Sequence, residues 1–426
     1  MYLLHFSLYL APSLSVSPID LFTLICFSTI HLYLGHCCRV ISFDVSSSAT
    51  FVIGERGREK DARYDNKIQT VIMSAFNPVS VMSASEPETE RTRFRRAGEI
   101  VASRLLSGKT GFSFEYYPPK TDKGVETLKK RFGEMWSWGA DWMDITWGAG
   151  GLTSELTTEL CEELATRDMN PMMHLTCTNM PAEKIDEALD FCAANGIRNI
   201  LALRGDPPAG KEKWEAVETG FSCALDLVKY IQKTHPGKFS ITVAGYPEGH
   251  PNVRKPIPMD TWNPKTNIPF YWAAAQNAEG VWEGVSYADW HAELLYLKAK
   301  VDAGAELVTT QLFYAVDLFL NFVKDARRVG IRVPILPGIM PIRNAGSFRR
   351  MTGFCKTVVP PILNKTVELL KDDNDKLEEF GLVWITEMMK KIFASGVIAS
   401  IHIYTMNTES LPKRILDGLD LLKNDV

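Results

Sequence analysis

The sequence predicts an α/β protein: a closed (β/α)8 TIM barrel with an N-terminal leading helix and a disordered or extraneous N-terminal segment. Three observations carry this expectation. From residue 112 onward, short apolar runs alternate eight times with amphipathic stretches of helical period. None of those runs is followed by the Gly-x-Gly-x-x-Gly turn of an open nucleotide-binding sheet. Polar and proton-handling residues collect where the runs end, which is where a parallel barrel gathers its working groups.

The elements follow in order. An amphipathic, Arg-rich helix at 88–106 leads into the fold, and its basic face reads as solvated. Strands are expected at 112–117, 142–147, 172–176, 200–203, 239–244, 307–313, 334–339 and 398–404, each an apolar run bounded by turn-forming or charged residues. Helices are expected at 125–137, 154–167, 182–194, 221–234, 287–303 and 316–329, then at 346–356, 361–370 and 372–394, with a closing helix at 412–422. The stretch 199–208 is the clearest unit: an apolar run ends abruptly in Arg204, Gly205 and Asp206. That is the form of a buried parallel strand whose carboxyl end delivers charge to a site. Residues 253–284, rich in Pro, Trp and Tyr, exceed an ordinary strand-to-helix loop. A lid, an interface loop and unremoved intron sequence all remain open for them.

The chain has 426 residues, 46% hydrophobic and 23% charged, enough for a large core. A net charge of −4 implies no general attraction to nucleic acid or anionic lipid. Eight cysteines without a Cys-x-x-Cys pair point to reduced thiols and a cytoplasmic compartment. Residues 1–38 contain one acid, Asp20, and no Lys or Arg, with an apolar tract at 21–34. That tract has the make-up of a short membrane or signal anchor, but it lacks a basic n-region and Pro12 and Pro18 interrupt the segment before it. Translation is expected to begin at Met73 or Met82. Residues 1–90 are therefore read as a leader or gene-prediction extension and 91–426 as the catalytic barrel.

At the strand ends stand Glu115, Thr146, His174 with Thr176, Arg204 with Asp206, Tyr246 with His250, Gln311, and Tyr404 with Asn407. Glu115 lies between Phe114 and Tyr116. Aromatic flanks would desolvate its carboxyl, raise its pKa and suit it to general-acid work. A strand-end glutamate paired with a lysine is the alternative. Arg204 and Asp206 can serve a ligand or pair with each other; His174 on an apolar strand can be a satisfied core histidine. A metal site finds no support, since no second His or Cys sits at ligand spacing on the same element.

Eight motifs, one per strand and in order, closely resemble the methylenetetrahydrofolate reductase family, in a eukaryotic, fungal form. They are Phe-Ser-Phe-Glu-Tyr-Tyr-Pro-Pro (112–119), Asp-Ile-Thr-Trp (144–147), His-Leu-Thr-Cys (174–177) and Ala-Leu-Arg-Gly-Asp-Pro (202–207). Then come Ala-Gly-Tyr-Pro-Glu-Gly-His-Pro (244–251), Thr-Gln-Leu-Phe (310–313), Pro-Gly-Ile-Met-Pro (337–341) and His-Ile-Tyr-Thr-Met-Asn (402–407).

The resemblance implies a flavoprotein that passes hydride from NADPH or NADH to 5,10-methylenetetrahydrofolate by ping-pong kinetics, yielding 5-methyltetrahydrofolate. It assigns noncovalent FAD to Thr146, His174, Thr176, Arg204, Gly205, Asp206, Ala224, Tyr246, His250, Glu293 and Lys300. Glu115 is implied as the proton donor that opens the folate aminal, and Asp206 as the charge that stabilises the resulting cation. Gln311, Ser347, Met351, Tyr404 and Asn407 are implied as folate or nicotinamide contacts. Three positions depart from the family pattern: Glu293 replaces the commoner Asp, Thr408 a frequent Arg, and Cys223 a residue that is often aromatic. The S-adenosylmethionine-binding regulatory domain of eukaryotic members is expected to be absent, and homo-oligomers are common in the family. A noncatalytic folate- or flavin-binding paralogue is the rival expectation; retention of Glu115 and Asp206 favours the enzyme.

Overall fold

The computed structural model describes residues 39–40, 54–55, 94–147, 154–177, 180–205, 220–258, 271–277 and 280–422. The chain divides into two compact units, Met1–Ile68 and Gln69–Val426. In the first, Arg39–Val40 and Gly54–Glu55 pair antiparallel. The apolar tract at 21–34 and both expected start methionines lie outside the described residues. Among the described residues no helix is long and apolar enough to cross a membrane.

The second unit is the barrel. Its strands are β1 (Gly111–Tyr116), β2 (Met143–Ile145), β3 (Pro171–Thr176), β4 (Asn199–Leu203) and β5 (Ser240–Gly245). An inserted sheet follows, formed by β6 (Lys255–Pro256), β7 (Tyr271–Gln276) and β8 (Trp282–Ser286). The barrel resumes with β9 (Leu307–Thr310), β10 (Ile335–Leu336), β11 (Gly338–Ile339) and β12 (Ser400–Tyr404). Barrel neighbours pair in parallel in the order β10-β9-β5-β4-β3-β2-β1-β12-β11. The two outermost strands are halves of one run, so the sheet closes on itself. The single strand expected at 334–339 is split because Pro337 has no N–H to give the ladder. The seam is joined on both sides instead: His402 N donates to the Pro337 carbonyl at 3.0 Å, and Gly338 N donates to Thr310 Oγ1 at 3.0 Å.

Around the barrel run α1 (Ala97–Ser107), α2 (Asp122–Ser137), α3 (Ser154–Thr166), α4 (Ala182–Ala194), α5 (Ala224–Thr234), α6 (Tyr287–Asp302) and α7 (Val316–Arg328). They are followed by α8 (Ala345–Phe354), α9 (Pro361–Leu369), α10 (Asn374–Ala394) and α11 (Ser410–Gly418). Helix α2 illustrates why they form. Thr121 caps it by accepting from Gly124 N, and Leu128, Phe132 and Met135 recur at helical spacing to make one buried face. That face meets the outward residues of β1: Phe132 packs edge-on against Tyr116 with centroids 5.1 Å apart.

Helix α1 closes the amino-terminal end of the barrel. Its Ala97, Ile100 and Val101 cluster with Trp142, Met172, Leu201, Leu307 and Leu336. The basic residues at this end are not solvated as expected, because the adjoining barrel floor offers oxygens to satisfy them. Arg96 bonds the carbonyls of Gly237 and Phe239 and the carboxylate of Glu306, and Arg104 pairs with Asp141 at 2.6 Å. The helix itself begins at Ala97; residues 88–93 lie outside the described residues.

The insertion is folded onto the barrel. Its three strands pair antiparallel, and Trp272 of β7 stacks on Trp290 of α6 with centroids 4.3 Å apart. Trp272 Nε1 also donates to the Pro247 carbonyl at 2.9 Å, and buried Arg254 donates to the carbonyls of Glu248 and Ala273. The insertion thereby holds the loop after β5, which carries Tyr246 and His250.

The seam makes one residue critical. A Cβ on Gly338 would lie 2.1 Å from the Thr310 carbonyl oxygen and 2.5 Å from the Tyr404 hydroxyl. Gly338→Ala is expected to destabilise the barrel by about 1–3 kcal/mol, read from the urea midpoint at unchanged slope.

Candidate active site

Alternation along β1 turns Ser113 and Glu115 into the barrel while Phe114 and Tyr116 face the helices, where both are fully buried. The aromatic neighbours in sequence are therefore not the surroundings of the Glu115 carboxyl. Two imidazoles are. Glu115 Oε2 lies 3.5 Å from His402 Nε2 and 3.7 Å from His174 Nε2. Beneath them, Asp144 Oδ2 lies 3.1 Å from His174 Nε2, and Ser113 Oγ lies 2.8 Å from His402 Nδ1. Burial pulls the pKa of His402 down, but the charge of Asp144 and the contact with Glu115 outweigh it and raise the pKa above the usual value. His174 is buried and hydrogen-bonded, as a satisfied core histidine would be, yet it lies within reach of Glu115. Among the described residues no group of three or more His, Cys, Asp or Glu is arranged to hold a metal ion.

A second feature opens between the tips of β4 and β5 and helices α5 and α6, a cavity of about 320 Å³. Arg204, Ala224, Tyr246, His250, Glu293 and Lys300 line it, so six residues assigned to FAD by resemblance converge on one space. Gly205, with φ +89°, makes the left-handed turn that lets the chain leave β4 at the cavity rim. Tyr246 and His250 meet edge to face at 4.7 Å. Lys300 is buried, donates to the Ala244 carbonyl at 2.8 Å, and is pushed down to about 8 by burial, with Glu293 opposing. Burial raises Glu293 itself, and burial, with Arg204 and Lys300 nearby, lowers His250 to about 4.

This donor set fits a nucleotide diphosphate. Arg204 and Lys300 supply positive charge, and Ala224 begins a helix whose N-cap Cys223 makes no side-chain cap. The rings of Tyr246 and His250 offer flat surface, and Glu293 offers acceptors for hydroxyls. Thr176 at the end of β3 carries a buried hydroxyl with no hydrogen-bond partner among the described residues, and Thr146 stands half-buried just past β2.

The other expected positions divide. Gln311, just beyond β9, is half-buried, with its side-chain oxygen accepting from Leu312 N at 2.9 Å. Ser347 bonds Asn344 at the start of α8, and Met351 packs half-buried on the same helix. Tyr404 and Asn407, expected as ligand contacts, bond the protein backbone. The Tyr404 hydroxyl donates to the Thr310 carbonyl at 2.6 Å, and the Asn407 amide brackets Tyr117, accepting from its N at 3.0 Å and donating to its O at 2.7 Å. Backbone groups at the barrel mouth need partners, and these two side chains supply them. Asp206 lies outside the described residues.

Ser113, Asp144 and His402 were missed by sequence reasoning, although a signal was present. Each lies two residues before a chosen position, Glu115, Thr146 and Tyr404, and so shares its inward face.

Comparison with known proteins gives consistent matches. A family profile described as Methylenetetrahydrofolate reductase matches residues 100–420. A protein of Arabidopsis thaliana named methylenetetrahydrofolate reductase (NADH) 1 is 48% identical over 323 residues, covering 76% of this chain and 50% of that one. One of Zea mays with the same name is 47% identical over 326 residues, covering 76% and 51%. Methylenetetrahydrofolate reductase 2 of Saccharomyces cerevisiae is 39% identical over 326 residues, covering 76% and 49%. The chain spans about half the length of the curated relatives it matches.

The cavity makes a pH-dependent prediction. A diphosphate in this cavity would pair with the Lys300 ammonium, which is lost as pH rises through about 8. FAD affinity of the apoprotein, followed by flavin fluorescence, is expected to weaken above that pH, approaching about tenfold per unit for one linked proton. Lys300→Met should bind weakly and without that dependence.

Proposed function

The chain belongs to the methylenetetrahydrofolate reductase family, and from that premise we propose that its barrel reduces 5,10-methylenetetrahydrofolate to 5-methyltetrahydrofolate. NADPH or NADH is the hydride donor, and noncovalent FAD would carry the hydride between two substrates that bind in turn. The observation that carries the proposal is the Glu115 carboxyl at the barrel mouth, in contact with His402, in a chain that also holds, at the tips of β4 and β5, a cavity whose cations suit a dinucleotide.

The substrate is a cyclic aminal, and its carbon–nitrogen bond opens only when the departing nitrogen gains a proton. Glu115 supplies that proton, and the ring opens to an iminium cation on the folate. His402, lying against Glu115 Oε2 at 3.5 Å, steadies the carboxyl and shares its proton. Asp206 provides negative charge for the cation, Gln311 hydrogen-bonds the pterin, and Ser347 and Met351 line the wall that folate and nicotinamide use in turn. Arg204, Lys300 and the start of α5 would hold the FAD diphosphate, Ala224, Tyr246 and His250 would wall its nucleotide, and Glu293 would take a sugar hydroxyl. Thr146, His174, Thr176 and Gly205 stand on the ring side. Bound there, FAD would carry two electrons as hydride from the nicotinamide to the folate methylene carbon. Tyr404 and Asn407 act from behind, bonding the backbone at Thr310 and Tyr117.

The two half-reactions separate the roles. In Glu115→Gln, anaerobic bleaching of the flavin by NADPH or NADH is expected to persist, while reoxidation by methylenetetrahydrofolate falls by about a hundredfold or more. Loss of both half-reactions, or full retention of the second, would remove Glu115 as proton donor. A purified protein that takes up no flavin would remove the flavoenzyme reading altogether.

A further inference from the structure

A second carboxylate lies inside the barrel, beneath the proton donor. Asp144, on β2, is 2% exposed. Its Oδ2 lies 3.1 Å from His174 Nε2; its Oδ1, which makes no hydrogen bond among the described residues, lies 3.9 Å from His402 Nδ1. Glu115 Oε2 approaches the same two rings from the mouth, at 3.7 Å and 3.5 Å. Two imidazoles are thus shared by two carboxylates, one accessible to ligand and one sealed in.

A sealed carboxylate is costly unless positive charge stands beside it. The ion-pair partners of Asp144 among the described residues are the two histidines. Register sets Asp144 there: β1 and β2 pair Glu115 with Asp144, so the two face inward side by side. An asparagine would have kept the size and the hydrogen bond to His174 without the charge.

We propose that Asp144 is a positioning residue for the reduction, its fixed negative charge keeping a proton on the His402–Glu115 couple so that the couple can deliver one to the folate nitrogen. The proposal rests on the donor role given to Glu115 above. The proton leaves the Glu115 carboxyl for the nitrogen of the breaking bond, His402 replenishes Glu115, and solvent at the mouth restores the couple. Asp144 neither gains nor loses a proton in the cycle. Among the described residues the titratable groups facing the cluster are Glu115 from β1, Asp144 from β2, His174 from β3 and His402 and Tyr404 from β12, with Cys161 of α3 also within electrostatic reach of Asp144; burial holds Tyr404 and Cys161 in their neutral forms. The raised affinity of His402 for a proton, despite its burial, agrees with this arrangement.

The test is a histidine titration by NMR on flavin-loaded protein, with the His402 signal assigned through His402→Gln, together with the pH profile of each half-reaction. In Asp144→Asn the His402 midpoint is expected to fall by about one unit or more, as removal of an opposite charge at this range does. The alkaline limb of the folate half-reaction should move down with it, while flavin bleaching by NADPH or NADH changes less than about twofold. An unmoved His402 midpoint, or a moved midpoint with an unmoved folate limb, overturns the proposal. Asp144→Ser, which keeps an oxygen but no charge, repeats the test if the asparagine variant does not load flavin; failure of both to load makes Asp144 a folding residue and overturns it equally. The two roles fail differently. A folate half-reaction that survives Glu115→Gln removes the donor but leaves the His402 shift, whereas a missing shift removes Asp144 alone.

Discussion

A closed parallel barrel gives every strand an inward and an outward row of side chains, and the rest of this molecule depends on how the inward row changes along the axis. At the amino-terminal end Trp142, Met172, Leu201, Leu307 and Leu336 pack under helix α1, whose first amides donate to Asn199 Oδ1 and Ser240 Oγ. Toward the carboxyl ends it becomes Ser113, Asp144, His174 and His402, then Glu115 at the mouth. The outward row stays apolar throughout and joins the helices in the main core, with Phe114, Ile145, Leu175 and Ile403 among its members. The dry end anchors the sheet, and the wet end is left free to carry charge.

The charges in the wet end are held by one another. Glu115 and Asp144 each lie near two imidazoles, so no member can be changed without altering the proton affinity of the others. The cavity between β4, β5, α5 and α6 works on a different principle. There, burial lowers the proton affinity of Lys300 and His250 and raises that of Glu293, so each is pushed toward its neutral form, and a bound anion would draw Lys300 and His250 back toward the protonated form. The insertion supports this half of the site. Trp272 stacks on Trp290, a cavity-lining residue, and bonds the carbonyl of Pro247 in the loop bearing Tyr246 and His250.

Much of this was legible in the sequence because it is periodic. Helix α4 was expected at 182–194 and is Ala182–Ala194; β3 was expected at 172–176 and is Pro171–Thr176. Places where the chain departs from period were read less well. The strand at 334–339 breaks at Pro337, and the insertion forms a small sheet whose strands carry no alternation strong enough to reveal them. The environment of Glu115 was misread for a related reason: its neighbours in sequence, Phe114 and Tyr116, belong to the opposite face.

What the sequence determined by itself was the order and type of the elements, and the chemistry available at their ends, because both follow from local pattern and residue identity. What only the tertiary structure decided was which of those ends meet. Closure of the sheet brings His402 of the last strand against Glu115 of the first, residues 287 positions apart. It also places Asp144 under both histidines and turns the Tyr404 hydroxyl and the Asn407 amide toward backbone. Contacts of that kind depend on the register between strands and on the radius of the closed barrel, which are properties of the assembled sheet and of no single segment.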